Sequence, residues 1–248
     1  MRKVAVCFML MILALSACMD SPKGEMTIGQ TKHYSDITDN EDTGIREVLN
    51  LYGGKCKYSS GIAASGSFGS KKYFELQLTN CNSLEQRRNL SELTAANVAY
   101  LFYKSLKNEQ KNYSEIRTEI TFDDDEYKGK YPDSLLDIVV TKMKIVSAII
   151  DLLKVKNYNA VADTLNDNNF FVNFNKAEFI ENIKKVDASL GNIKEFVPYG
   201  FSFFDTVDGK TLLHISGLVR RDKMSNEFSV NIDPASNDGK AIMIKYEL

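Results

Sequence analysis

Four strand-like runs close the chain, and they limit its fold more than any other stretch. They span 195–206, 210–219, 227–233 and 240–248 and follow one another without a helical pattern between them. Asp208-Gly209 lies between the first two, a dipeptide that accepts the backbone of a tight hairpin turn, and the 234–239 loop also ends in Asp-Gly. Strands joined in this way form an antiparallel meander. Alternation along the second run puts Leu213, Ile215 and Val219 on one side and Leu212, His214, Ser216 and Leu218 on the other. Both sets are substantially apolar, which predicts a central strand covered on both faces.

Helical patterns precede the meander. Pro132-Asp133-Ser134 opens an apolar segment to about residue 155 whose many β-branched residues leave the period ambiguous, but its length decides for a helix. Segments 158–165 and 176–190 also read as helices, the second stopped by Gly191. Helices followed by a meander make an α+β unit.

The preceding part has its own pattern. Residues 45–51 suggest a short helical turn before Gly53-Gly54, and strand-like runs at 55–64 and 71–80 flank a Gly- and Ser-rich turn. Placing Cys56 opposite Cys81 centres the hairpin between Phe68 and Gly69, inside that turn. This register puts Ala63, Phe74, Leu76 and Leu78 on one face and Cys56, Tyr58, Tyr73, Glu75, Gln77 and Cys81 on the other. Asn89-Leu90-Ser91-Glu92 has capping-box form and predicts a helix over about 90–110, followed by a strand at 114–122 with Ile116, Thr118, Ile120 and Phe122 on one face. The expected fold class is therefore α+β: an N-terminal hairpin, helix and strand unit over 42–133, then a unit over 134–248 in which a long connecting helix leads to helices packed on a four-stranded antiparallel meander.

The opposite end of the chain carries an address. Arg2 and Lys3 precede an apolar run over 4–15, and Leu15-Ser16-Ala17-Cys18 closes it. These are the parts of a secretory signal, and the run is shorter than the roughly 20 residues a spanning helix needs. The closing tetrapeptide resembles the lipobox of bacterial lipoproteins. The resemblance implies cleavage before Cys18, acyl chains on its sulfur and new amino terminus, and, because Met19 rather than Asp follows, the outer membrane in preference to the inner. Polar residues up to about 41, broken by Pro22, Gly24 and Gly29, read as a flexible tether of the body.

Loss of residues 1–17 from the 248 leaves 231, enough for one large or two small domains, and shifts the formal charge from -2 to -4 as Arg2 and Lys3 leave. No block of Lys and Arg remains, which disfavours a nucleic-acid partner or a polybasic membrane role. Of four cysteines, Cys7 departs with the signal and Cys18 takes lipid; Cys56 and Cys81 remain in an oxidising compartment, where a disulfide between them is expected.

Residues such as Ile149-Ile150-Asp151-Leu152-Leu153, Asn157-Tyr158 and Leu190-Gly191, with the order of helices and then a meander, are similar to exported domains of the cystatin-like or nuclear-transport-factor-like cone fold found in bacterial lipoproteins. The resemblance covers roughly 145–248 and carries over no functional residue, because that fold hosts enzymes, binders and scaffolds alike.

Signatures of chemistry are sparse. The glycines at 61–71 precede a strand and lack the Gly-Lys-Ser/Thr of a phosphate loop. Asp123-Asp124-Asp125-Glu126 lacks the glycine and closing glutamate of a calcium loop and reads as a solvated turn. Two separated histidines, His33 and His214, with a paired Cys56 and Cys81 give no zinc cluster. His214 is the one polar group with a site-like setting: it is placed beside Phe201, Phe203 and Phe204, where a curved sheet would form a pocket, and Arg220 ends the same strand. The reading is thus a lipid-anchored envelope protein, non-enzymatic and without cofactor or metal, that binds or scaffolds another envelope protein. The alternative is a small-ligand binder or enzyme using a pocket with His214 and Arg220.

Overall fold

A computed structural model of the protein describes residues 24–27, 37–65, 69–85, 87–166 and 175–246. The signal segment, Cys18 and His33 fall outside these residues. Two sheets are built on one continuous apolar core. The first has the order β1-β2-β3-β4-β5, formed by β1 Gly24–Thr27, β2 Lys55–Ser65, β3 Gly69–Thr79, β4 Glu115–Thr121 and β5 Glu126–Pro132. The second has the order β6-β7-β8-β9, formed by β6 Ile193–Asp205, β7 Thr211–Arg221, β8 Asn226–Ile232 and β9 Met243–Tyr246. The helices are α1 Asp39–Tyr52, α2 Asn82–Glu85, α3 Ser91–Ser105, α4 Asp133–Lys154, α5 Tyr158–Asp163 and α6 Lys176–Leu190. The chain is α+β, its second sheet is antiparallel throughout, and α4 connects the two sheets.

The first sheet is mixed because β3 and β4 run parallel, and the return crossing between them carries α3. Every residue from Thr94 to Tyr103 is buried, so α3 is a helix enclosed on all sides rather than an amphipathic one. It packs against α1, α4, β4, β5 and β6, which places it between the two halves of the molecule. Phe102 from this helix stacks on Phe74 of β3 with centroids 4.4 Å apart, and α1 approaches it at Gly44, where a Cβ would lie 2.8 Å from the Phe102 ring. Removing a buried ring such as Phe74 from this packing would cost about 3–5 kcal/mol. The principal helix against β6 thus comes from the N-terminal half, while α4 supplies the C-terminal contribution over β6 and β7.

Several expectations change. Residues 45–51 are part of a four-turn helix, α1, started by a capping box in which Thr38 Oγ1 accepts from the Glu41 amide at 3.2 Å and Glu41 Oε2 accepts from the Thr38 amide at 2.9 Å. The box expected at 89–92 does not form: Asn89 lies in a 3-10 turn, Arg88–Leu90, and α3 starts without a side-chain cap. Within the segment read as a flexible tether, Gly24–Thr27 is a strand paired antiparallel with β2, Gly24 opposite Tyr58 and Thr27 opposite Lys55.

The β2–β3 hairpin also pairs in another register. Cys56 lies opposite Leu78, which moves the turn and exchanges the faces. Cys56, Tyr58, Phe74, Leu76 and Leu78 now share the core face, all nearly inaccessible, while Tyr73, Glu75 and Gln77 lie on the other. Burial of the cysteine and tyrosine explains the choice, since the expected register would have put both in water. Both Cys56 and Cys81 are free and buried, and the cross-strand pairing inferred for them has no counterpart in this register. Cys81 lies just past β3, where Sγ approaches the Gly53 carbonyl at 3.3 Å, and burial pushes its thiol up to about 11.

Candidate functional site on the outer face of the second sheet

The two faces of β7 separate sharply. Leu213, Ile215 and Val219 are fully buried, together with Val230 and Ile232 of β8. Register sets Phe201 opposite Ile215 and Phe203 opposite Leu213, so these two aromatics belong to the core face. His214 has Ser202 and Asn231 as its cross-strand neighbours, with Phe204 placed two residues along. The expectation of His214 among three phenylalanines is corrected accordingly. Its face is mixed, with His214, Ser216, Ser229, Asn231 and Glu227 beside Leu212 and Leu218, and is only partly covered.

A bulge in β6 gives this face its relief. Pro198 pairs with Gly217 and Gly200 with Ser216, leaving Tyr199 as the extra residue. The bulge is held against α3 by two features. Asn97 Nδ2 donates to the Pro198 carbonyl at 3.1 Å and to the Tyr52 hydroxyl at 2.7 Å. Gly200 has φ 153°, and a Cβ there would lie 1.9 Å from the Leu93 carbonyl oxygen, so only glycine permits this approach. The Arg87 guanidinium sits 4.6 Å from the Tyr199 ring centroid. Burial raises the Tyr199 hydroxyl above its usual range against the opposing effect of Arg87, so the phenol remains a neutral donor.

Three adjoining hollows surround Tyr199. One of about 220 Å³ lies between the start of α3, at Leu90 and Leu93, and the strand residues His214, Ser216, Glu227, Ser229 and Lys245. A second, of about 250 Å³, runs past Arg87, Ser83, Leu218 and Arg220. The third, of about 330 Å³, reaches Leu218, Glu227 and the exposed Met224. His214 and Arg220 therefore open into neighbouring hollows on the two sides of Tyr199.

In the first hollow, His214 Nδ1 and Asn231 Oδ1 are 2.7 Å apart. An amide oxygen only accepts, so Nδ1 carries a proton, and in the neutral ring Nε2 is the acceptor. Ser216 Oγ is buried and has no hydrogen-bond partner, His214 included. A nucleophile activated by a base needs that contact, so the pair is not arranged as in acyl transfer. What the hollow offers is hydrogen bonding: a hydroxyl without a partner and an imidazole held in one tautomer.

Arg220 is half exposed and pairs with Glu195 at 2.6 Å, an ion pair of small energetic weight. Its neighbour Arg221 is different in kind. Its side chain is buried, donating to Asp187 Oδ1 at 2.7 Å, to the Gly191 carbonyl at 2.7 Å and to Asn226 Oδ1 at 2.8 Å, and so fastens the end of α6 to β7. The acidic turn at 123–125 contributes an ion pair from Asp124 to Arg88. Among the described residues no three His, Cys, Asp or Glu side chains gather into a metal-binding group, and no helix is long and apolar enough to cross a membrane.

Sequence reasoning named His214 and Arg220 and set Ser216 on the His214 face, but did not single out Tyr199 or Arg87. The available signal was Pro198-Tyr199-Gly200 inside a strand-like run, a combination that marks an edge strand or a bulge, and β6 is an edge strand with a bulge. The chain matches no family model, no curated protein and no solved structure.

Proposed function

We propose that the chain is a lipid-anchored protein of the bacterial envelope whose body is a non-enzymatic binding module, with the surface around Tyr199 as the binding face and another envelope protein as the partner. The anchor rests on Leu15-Ser16-Ala17-Cys18 and the apolar run before it. The binding role is carried by one observation: a β-bulge, locked by Gly200 and Asn97, turns a tyrosine out between three open hollows and under an arginine. Tyrosine and arginine dominate protein interfaces because each combines large apolar contact with a polar end. The hollows are open to solvent and only the third, of about 330 Å³, reaches the roughly 300–1,000 Å³ of a drug-sized ligand's enclosed site, so they suit side chains inserted by a partner.

A second reading is favoured by Ser216. Its buried hydroxyl without a partner, beside the fixed imidazole of His214, fits a small polar ligand that donates to Nε2 and bonds Ser216. A photocrosslinking residue at Leu218 distinguishes the two. In native membranes we expect a protein adduct from Leu218 that falls at least several-fold in the Tyr199→Ala background. An adduct indifferent to Tyr199, or none, would remove the protein-binding reading.

A further inference from the structure

The pairing of β1 limits how far the body can stand from its anchor. Gly24 is six residues from Cys18, and six residues reach at most roughly 20 Å. Because β1 runs antiparallel to β2 with Gly24 opposite Tyr58, the chain leading back to Cys18 leaves from the end of β1 that faces the hairpin turn. Among the described residues β1 pairs with β2 only as far as Tyr58, and on the other edge the chain leading into β4 last meets β3 where the Ser114 amide donates to the Lys72 carbonyl at 2.8 Å. From the Ile62 to Lys72 pair on, β2 and β3 therefore continue as a ribbon with no third strand beside it among the described residues. From Tyr58 to Ser65 it extends roughly 23 Å at the strand rise, about the reach of the anchor segment and on the same side.

The described residues of that ribbon have the chemistry of a lipid interface. Ile62 is 70% exposed, an unusual setting for a β-branched apolar side chain; its cross-strand partner on the same face is Lys72, and Lys71, opposite Ala63, lies next along the ribbon on the other face. Both lysines are exposed, and Lys72 also lies 5.0 Å from the Tyr113 ring centroid. An apolar side chain flanked by cations suits a bilayer surface, where the chain enters the acyl boundary and the ammonium groups meet phosphate.

We propose that the β2–β3 ribbon is a second membrane contact, Ile62 entering the interface and Lys71 and Lys72 meeting anionic headgroups, and that β1 sets this geometry by shortening the anchor segment. The proposal rests on the reading of Cys18 as the lipidated residue. The test uses the full lipidated protein in vesicles of phosphatidylethanolamine and phosphatidylglycerol containing nitroxide-labelled lipid. An environment-sensitive fluorophore is placed on Ile62→Cys or, in the β6–β7 turn, on the fully exposed Val207→Cys; buried Cys56 and Cys81 are spared in the folded protein. Quenching several-fold stronger at position 62 than at 207, and weakened by Lys71→Glu with Lys72→Glu, is expected. Protein that floats with the vesicles but is quenched equally at both positions would overturn the ribbon contact and leave the anchor standing. Flotation no different from that of Cys18→Ala would overturn the anchor, and the contact with it.

Discussion

Each sheet has one face in the common core, and the two faces left outside differ. The outer face of the first sheet is a field of charges that satisfy one another. Arg117 lies 3.6 Å from the Tyr73 ring centroid and bonds Glu115 at 2.6 Å, Lys128 reaches Glu119 at 3.5 Å, and Ser59 meets Glu75 at 3.4 Å. The outer face of the second sheet mixes Leu218, Tyr199, His214, Ser216 and Glu227 around three hollows. Among the described residues, the buried side-chain polar atoms without partners include Ser216 Oγ on this face and none on the outer face of the first sheet. A desolvated hydroxyl costs about 1–3 kcal/mol, which a bound partner on this face would offset, whereas Thr118 Oγ1 carries such a cost inside the core. The difference supports the proposal that the second face makes a contact, whereas the first is satisfied by its own charges.

The largest expected effect that sharpens this contrast is at Gly200. A methyl there meets the Leu93 carbonyl and needs a backbone that alanine rarely adopts, so Gly200→Ala should lower the urea-unfolding free energy by about 3 kcal/mol or more. Gly209, with φ 78° and open space around it, is the matched control, and Gly209→Ala should cost about 1 kcal/mol. Equal costs would mean that the bulge is not clamped to α3. The smallest effect is at Ser216: with the unpartnered hydroxyl removed, Ser216→Ala should leave stability unchanged or raise it by up to about 1 kcal/mol. A loss of 2 kcal/mol in the same unfolding assay would show that Ser216 is structurally satisfied and dissolve the contrast between the faces.

The meander was legible because its signals are local. Asp208-Gly209 and period-two alternation fixed β6, β7 and the two faces of β7 without knowledge of the rest of the chain. α6 and its stop at Gly191 were read for the same reason. The N-terminal hairpin failed where a local signal was replaced by an assumption: opposing the cysteines fixed a register that hydrophobic burial overrules, because Cys56 and Tyr58 go to the core with Leu76 and Leu78. β1 was unreadable, since four residues with a glycine carry no period and pair only because β2 offers an edge. Of the site, His214 and Arg220 stood out by residue type. Tyr199 did not, because its prominence comes from a bulge that depends on α3, a helix about a hundred residues away in sequence.

Carboxylate footprinting tests the central claim most directly, because both outer faces carry glutamates that carbodiimide can modify. Glu227 borders two of the hollows around Tyr199, while Glu75 and Glu119 lie on the charge-paired face. The protein is labelled in native membranes and again after purification, and the extent of modification is read at each position by mass spectrometry. Our account predicts that Glu227 is protected several-fold in membranes while Glu75 and Glu119 are modified equally in both states. Equal modification of Glu227 in the two states, or protection at Glu75 and Glu119 instead, would contradict it.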